Sequence, residues 1–550
     1  MSYKTSIRPR HGIILWIASV LVAAAQVEAA PATSEYMQMR AQLISADSTR
    51  RIGGKLVLNA QEQIVNEIFM KEKRKLMDES RLNRTPYIPA QSFYISRPLM
   101  ENSTLLNLIR RMPKGAALHL HDTSATSLDW LVKNATYRDH IYMCVAADGL
   151  LIFQASLGPP ANPNCVWKSV RDERALAPNV EEFDLHLKRN LSLLVTDPLT
   201  TYNDNNQVWV RFVRYFHQVQ NLVYYAPIFR DYFWRMLEEF RSENVQYIEL
   251  RSGLQGVFDL DGTIHDAEYA VQIYKNVTED FVKQYPDFSG AKIIMSGLRN
   301  FPYQSILNQV KAAMALNHKY PDVMVGYDLV GNEAFFHPLT YYIDALLYPA
   351  RQNPPVKLPY FLHVGETNWQ GTATDNNLAD ALLLNATRIG HAYALPKRPK
   401  LLEMVKESNT PLEVNPLSNQ ILRLVADLRN HPMAALMADD FPIVVSCDDY
   451  VVWEALPLSH DIYIAFMDMS GEDADLTFLK QLAINSLRFS TMDASQQEAA
   501  MNLWTNKWNS FIQEVTHGQN PARTKSPANC GLCRQLSLPA ILLTLVVYLH

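Results

Sequence analysis

The side chains best suited to chemistry in this sequence are histidines and carboxylates that close short apolar runs. His119-Leu120-His121 sets two imidazoles two positions apart. Side-chain direction in an extended strand repeats every second residue, so both rings face one side and can reach one cation. His363 and Asp448, each after an apolar run, would complete a set of three nitrogens and one oxygen. Zinc suits that set, because such a site leaves a position for water. An H-x-H pair alone is as easily ordinary strand packing; the four candidates together favour a metal. Glu366 follows His363 through Val364 and Gly365, a glycine that lets the backbone turn close to a ligand. Its carboxyl group could transfer a proton to a ring nitrogen, with a pKa set by burial and a nearby ion. The competing reading is a helix N-terminal glutamate ahead of Thr367 and Asn368. His391 could orient an attacking hydroxide, or be a structural hydrogen bonder. Asp448 and Asp449 repel each other unless a cation compensates, so one can ligate while the other holds water or a base nitrogen. A solvated loop pair fits poorly after the apolar stretch 442–447.

These residues need strands to position them. From 116 onward the apolar runs 116–121, 245–250, 291–296, 323–329, 360–365, 388–393, 412–415 and 442–447 are separated by helix-sized segments. Such alternation predicts an α/β fold, a (β/α)8 TIM barrel of parallel strands, spanning residues 106–515. His119, His121, Glu249, Arg251, Gly331, His363, Glu366, His391, Asn415, Asp448 and Asp449 then gather near the carboxyl ends of the strands, where barrels carry their sites. Ahead of the barrel, residues 30–105 read as mostly helical. The charges Lys71, Lys73, Arg74 and Lys75 suit a solvated face or one packed on a second subunit. Residues 123–180 read as an irregular inserted subdomain.

The chain has 550 residues, a net charge of -5 and 48% hydrophobic residues, which excludes a mostly disordered chain, a strongly basic nucleic-acid coat and a polytopic membrane protein. No nucleic-acid partner is expected. Residues 1–29 carry Lys4, Arg8 and Arg10, an apolar run and a small-residue processing site, the pattern of a signal peptide; an uncleaved anchor is the alternative. Sequons at Asn83, Asn102, Asn134, Asn190, Asn276 and Asn385 agree with a secreted glycoprotein. In an oxidising compartment Cys144 and Cys165 would close a loop, Cys447 reads as a buried free thiol, and Cys530 and Cys533 support neither zinc nor redox chemistry. The tail, 516–550, ends in a greasy run from Leu536 to Leu549 after small and polar residues. It reads as a lipid-anchor signal and the only expected membrane link, or else as a tail that packs or frays.

The segments Met112-Pro113-Lys114-Gly115-Ala116-Ala117-Leu118-His119-Leu120-His121, Tyr247-Ile248-Glu249-Leu250-Arg251, His363-Val364-Gly365-Glu366-Thr367, Asn385-Ala386-Thr387-Arg388-Ile389-Gly390-His391 and Glu413-Val414-Asn415-Pro416-Leu417-Ser418-Asn419 resemble the secreted adenosine deaminase growth factors. The resemblance runs from about residue 35 to about 515. It implies a metal-dependent hydrolase barrel, an N-terminal helical dimerisation region and a disulfide-bearing insertion. It also implies one zinc per subunit, held by His119, His121, His363 and Asp448. Glu366 then resembles the proton donor to purine N1, His391 the partner of hydroxide and Asp449 a contact to water and purine. Gly331 is similar to the family's backbone contact to the base, and Trp209 would line the nucleoside pocket. The implied activity is extracellular conversion of adenosine, and of 2′-deoxyadenosine, to inosine and ammonia by a homodimer that could also engage a cell-surface receptor or glycan. The sequence departs from the family at Tyr450, where proline is usual, at Cys447, where serine or threonine is usual, and at Asn332, where an acid or histidine is common. These departures bear on affinity and rate. The alternatives are a secreted signalling or nucleoside-binding protein with little catalysis, or another amidohydrolase-type reaction.

Overall fold

In a computed structural model of the protein, residues 32–161, 165–254 and 256–518 are described. The chain enters through helices Thr33–Ser48, Ala60–Asn83, Phe93–Glu101 and Thr104–Arg111. It then lays down β1 (Gly115–His121). An excursion follows, with β2 (Ile141–Val145), β3 (Leu151–Ala155) and β4 (Lys168–Ser169). Seven further strands alternate with helices: β5 (Val245–Ser252), β6 (Gly290–Leu298), β7 (Met324–Val330), β8 (His363–Val364), β9 (Ile389–His391), β10 (Leu412–Val414) and β11 (Ile443–Val445).

The strands with helix-sized spacing pair in parallel as two sheets, β1-β5-β6-β7 and β11-β10-β9-β8. Single parallel bridges, Tyr327 with Tyr360 and Leu120 with Asp448, join the outer edges of one sheet to those of the other. The arrangement is TIM-barrel-like. Every residue of β5 is buried, as expected for a strand covered on both faces. All eight expected runs hold a strand, but the last four are only two or three residues long. Their ends leave extended geometry where the site begins: Gly365, His391, Ala392 and Asp448 all have positive φ, between 51° and 77°. A left-handed residue ends the ladder and redirects the chain.

The insertion is more regular than expected. Its strands form an antiparallel sheet, β3-β2-β4, and the Cys144–Cys165 disulfide is present, with a Cα–Cα separation of 5.9 Å. Leu151, Phe153 and Ala155 alternate inward on β3, which packs on helix Asn205–Val223.

The charged N-terminal helix is also not wholly solvated. Asn59 and Glu62 form a capping box at the start of Ala60–Asn83. Lys73, on the same helix, is buried, with Nζ donating to Ser470 Oγ and to the carbonyls of Gly471 and Ala474. Among the described residues no helix is long and apolar enough to cross a membrane. The leader, Cys530, Cys533 and the apolar tail lie outside the described residues.

Candidate metal centre and active site

The strand ends bring the site together. β1 carries His119 and His121, β8 His363 and β9 His391, and the chain leaving β11 carries Asp448 and Asp449. Ligand atoms of His119, His363, His391 and Asp448 lie within 4.8 Å of one another, as do those of His121, Asp448 and Asp449. Asp448 belongs to both groups. Ring centroids of His119 and His363 are 4.5 Å apart, and those of His121 and His363 are 5.2 Å apart.

Two of the rings are held from behind. His119 Nδ1 is 2.7 Å from Glu413 Oε2, and His363 Nδ1 is 2.6 Å from Asp328 Oδ2. A carboxylate at Nδ1 keeps the proton there and leaves Nε2 as the ligand atom. His119 Nε2 and Asp448 Oδ1 are buried without a hydrogen-bond partner, although they lie only 3.6 Å apart. His121 Nε2 is 3.2 Å from the same aspartate oxygen, but not aligned to satisfy it. Buried polar atoms are normally paired, so converging orphans of this kind fit a cation. The donor set, imidazole nitrogens with carboxylate oxygen, is one that binds first-row divalent metals.

Electrostatics divide the clustered groups. Burial lowers the His363 pKa to about 3 and pushes that of His391 well below its ordinary value, so both rings are neutral at physiological pH. Burial also opposes a proton on His121, but Asp449 and Asp448 outweigh it and raise this ring to about 9. Burial would raise the Asp448 carboxyl, yet contacts with His119 and His121 hold it well below the usual range. Asp449 rises to about 7 through burial and its neighbour Asp448, against the pull of His121; Ser124 Oγ donates to its Oδ1.

Glu366 has the environment of a proton donor. Its carboxyl is pushed well above the ordinary range by burial, then by Asp448, Glu333 and Asp449. Its backbone N–H donates to Glu333 Oε2 at 2.7 Å. Its Oε1 is buried without a hydrogen bond, 3.5 Å from His391 Nδ1. A neutral acid with a free oxygen in a closed site is equipped to protonate a bound base.

Gly331 follows β7 at φ 105°, where an added Cβ would come within 3.3 Å of the Phe336 ring. Trp209, half-buried on helix Asn205–Val223, packs edge-on against Phe212, which also meets Phe216 and Trp453. The departing residues are all buried. Tyr450 donates its hydroxyl to the Ala125 carbonyl, Cys447 is a free thiol, and Asn332 Oδ1 accepts from the Ala334 N–H.

Sequence reasoning did not assign the layer beneath the ligands. Arg251 bridges Asp328 Oδ2 and Glu413 Oε2 at 2.7 and 2.6 Å, and Arg388 bridges Glu413 Oε1 and Glu249 Oε2, both at 2.6 Å. All five side chains are inaccessible to solvent. Burial raises Asp328 and Glu413, but His363 and Arg251 around the first, and Arg251 and Arg388 around the second, hold both far below the carboxylate range. The available signal was charge inside apolar strand runs, since a buried ion needs a partner.

A TIM-barrel-like fold with a histidine and aspartate metal cluster at its strand ends defines a metal-dependent hydrolase. The Adenosine deaminase family profile matches residues 189–505, and the Adenosine/AMP deaminase N-terminal profile matches residues 14–109. Adenosine deaminase 2 of Homo sapiens is 43% identical over 480 residues, covering 87% of this chain and 93% of that protein. An adenosine deaminase of Phlebotomus duboscqi is 40% identical over 483 residues, covering 87% and 92%. Similar solved structures include an adenine deaminase from Arthrobacter aurescens, with a TM-score of 0.52 and 18% identity over 72% of this chain and 99% of that one. An Arabidopsis N6-mAMP deaminase has the same TM-score and identity, over 73% and 99%. At that identity the structural likeness speaks to fold alone. The chain belongs to the adenosine/AMP deaminase family, in its adenosine deaminase 2-like branch.

Proposed function

We propose that this protein is an extracellular, zinc-dependent adenosine deaminase that converts adenosine, and 2′-deoxyadenosine, to inosine and ammonia. The observation that carries the reading is the pair of orphaned, buried ligand atoms, His119 Nε2 and Asp448 Oδ1, inside a cluster whose imidazoles are braced by carboxylates. His119, His121, His363 and Asp448 are the proposed zinc ligands. His391 is the nearest competitor for a place in that set, but its Nε2 is 3.8 Å from Asp448 Oδ2, against 3.2 Å from His121 to Oδ1. The ion would supply Lewis-acid chemistry, lowering the pKa of a water toward about 7.

The chain's own groups carry the remaining steps. Glu366 holds its proton until the purine is bound and gives it to N1, which makes C6 electrophilic. His391, neutral and buried, orients the attacking water and steadies the charge that develops during attack. Asp449 accepts a hydrogen bond from that water or from the base. The Gly331 backbone, at a positive φ where an added Cβ would crowd the Phe336 ring, contacts the base, and Trp209 lines the nucleoside side. Water adds one oxygen to C6, and the amino group leaves as ammonia.

The two edge bridges support reading both sheets as one closed (β/α)8 barrel. Extracellular action is supported by sequons whose asparagines are exposed at residues 83, 102, 134, 276 and 385; Asn190 is half-buried, its amide donating to the His186 carbonyl. Helix Thr33–Ser48 has no buried residue and exposes Tyr36, Met37, Met39, Leu43 and Ile44, which supports a homodimer contact there. The test is ammonia release from adenosine by purified secreted protein, with zinc quantified. Zinc-dependent turnover is expected. A folded, zinc-loaded protein that releases none would overturn the reading in favour of nucleoside binding or signalling.

A further inference from the structure

We propose that the groove between the insertion and helix Ala226–Ser242 is a carbohydrate-binding site, occupied by the first sugars of an N-glycan carried on Asn134 of the same chain. The groove encloses about 530 Å³, a size that holds a small ligand. Its walls include Trp130, Arg138, Trp234, Arg235 and Glu238, and Asn134 itself stands in its lining.

The chemistry of that lining favours a sugar. Trp130 and Trp234 are both half-buried, so each indole is fixed while part of it stays open. Trp130 packs edge-on against Tyr232, and Trp234 edge-on against Phe281. Rigid aromatic surface with a polar edge suits the apolar faces of pyranose rings. The polar groups are held by one another: Arg138, 5.9 Å over the Trp130 ring, pairs with Asp231 at 2.7 Å, Arg235 with Glu239 at 2.9 Å, and Trp234 Nε1 donates to Glu238 at 3.1 Å. Planar donors and acceptors fixed in this way can take up sugar hydroxyls with little further ordering. The anchor is already in place. Asn134 caps helix Leu128–Lys133, its side chain is exposed, and Thr136 completes the sequon. A glycan attached there enters the groove intramolecularly, at high effective concentration.

The proposal rests on the export reading above, and its test separates the two. The secreted protein is treated with a peptide-N-glycosidase under native conditions, and release is followed site by site by mass spectrometry. Asn134 is expected to be freed at least about tenfold more slowly than Asn83 and Asn385, the ratio that about 1.4 kcal/mol of protection gives. Trp130→Ala and Trp234→Ala, on separate elements, are each expected to remove that lag, with adenosine turnover retained as the check on folding. Equal release at all three sites would overturn the proposal, as would a lag that neither substitution changes. An unoccupied Asn134 beside occupied Asn83 and Asn385 would overturn it while leaving export intact. Absence of glycan everywhere would overturn the export reading, and this one with it.

Discussion

Glu366 is useful to catalysis only because several charges around it are arranged to keep it neutral. Its backbone is fixed by Glu333 and its carboxyl is buried beside Asp448 and Asp449. Glu366→Gln keeps the size and the backbone hydrogen bond to Glu333 but removes the proton. Folding by circular dichroism should be unchanged while adenosine turnover falls at least ~100-fold. Asp328 makes a different contribution, since it orients the His363 ring and compensates Arg251. Asp328→Asn should therefore weaken zinc affinity by about 10–100-fold, measured by competition with a chelator. Unchanged zinc affinity would assign Asp328 to packing rather than to the metal centre.

Lys73 shows how an element outside the barrel is held to it. Three acceptors of segment 470–474 surround its ammonium, which burial lowers to about 7, and the Phe466 ring lies 4.2 Å away. Lys73→Met retains the aliphatic bulk and strands those acceptors, so unfolding by denaturant should show a loss of about 1–3 kcal/mol. No loss would mean that water replaces the lysine. That lysine also marks a limit of sequence reading. Among Lys71, Lys73, Arg74 and Lys75 only Lys73 turns inward, because only it faces the carbonyls of a loop some 400 residues away, a pairing that helix periodicity cannot supply. The eight strand runs were legible, since buried parallel strands are apolar throughout, and so were the histidines and carboxylates that gather at their ends. The supporting layer was not. Asp328 lies on β7, Glu413 on β10, Arg251 on β5 and Arg388 just ahead of β9, and their pairing becomes visible only when those strands are brought together. The insertion failed for another reason: its strands are short, and turn residues between them mask their alternation.

For the whole molecule, all proposed catalytic groups come from residues 119–449 of one chain, so the exposed helix Thr33–Ser48 can be removed without touching the site. A chain lacking residues 1–48 should sediment as a monomer yet keep its turnover per chain; a persistent dimer would place the contact elsewhere. Acid sensitivity is expected from histidines outside the metal cluster. Burial lowers His431 to about 3, with Nε2 held 2.9 Å from Asn419 Oδ1 and Nδ1 accepting from the Met433 N–H. Unfolded, the same ring titrates near ~6.5. Below that pH the unfolded chain binds a proton that the folded one refuses. The histidine's contribution is therefore complete above ~6.5 and is lost progressively as the pH falls toward 3. His431→Gln should destabilise the protein at pH 7.5, through a hydrogen bond lost, and by less at pH 5. The buried carboxyl groups titrate alike in both proteins and cancel from the comparison. A stability gap that stays constant from pH 7.5 to 5 in denaturant titrations would show that His431 takes up its proton in the folded state as readily as in the unfolded one.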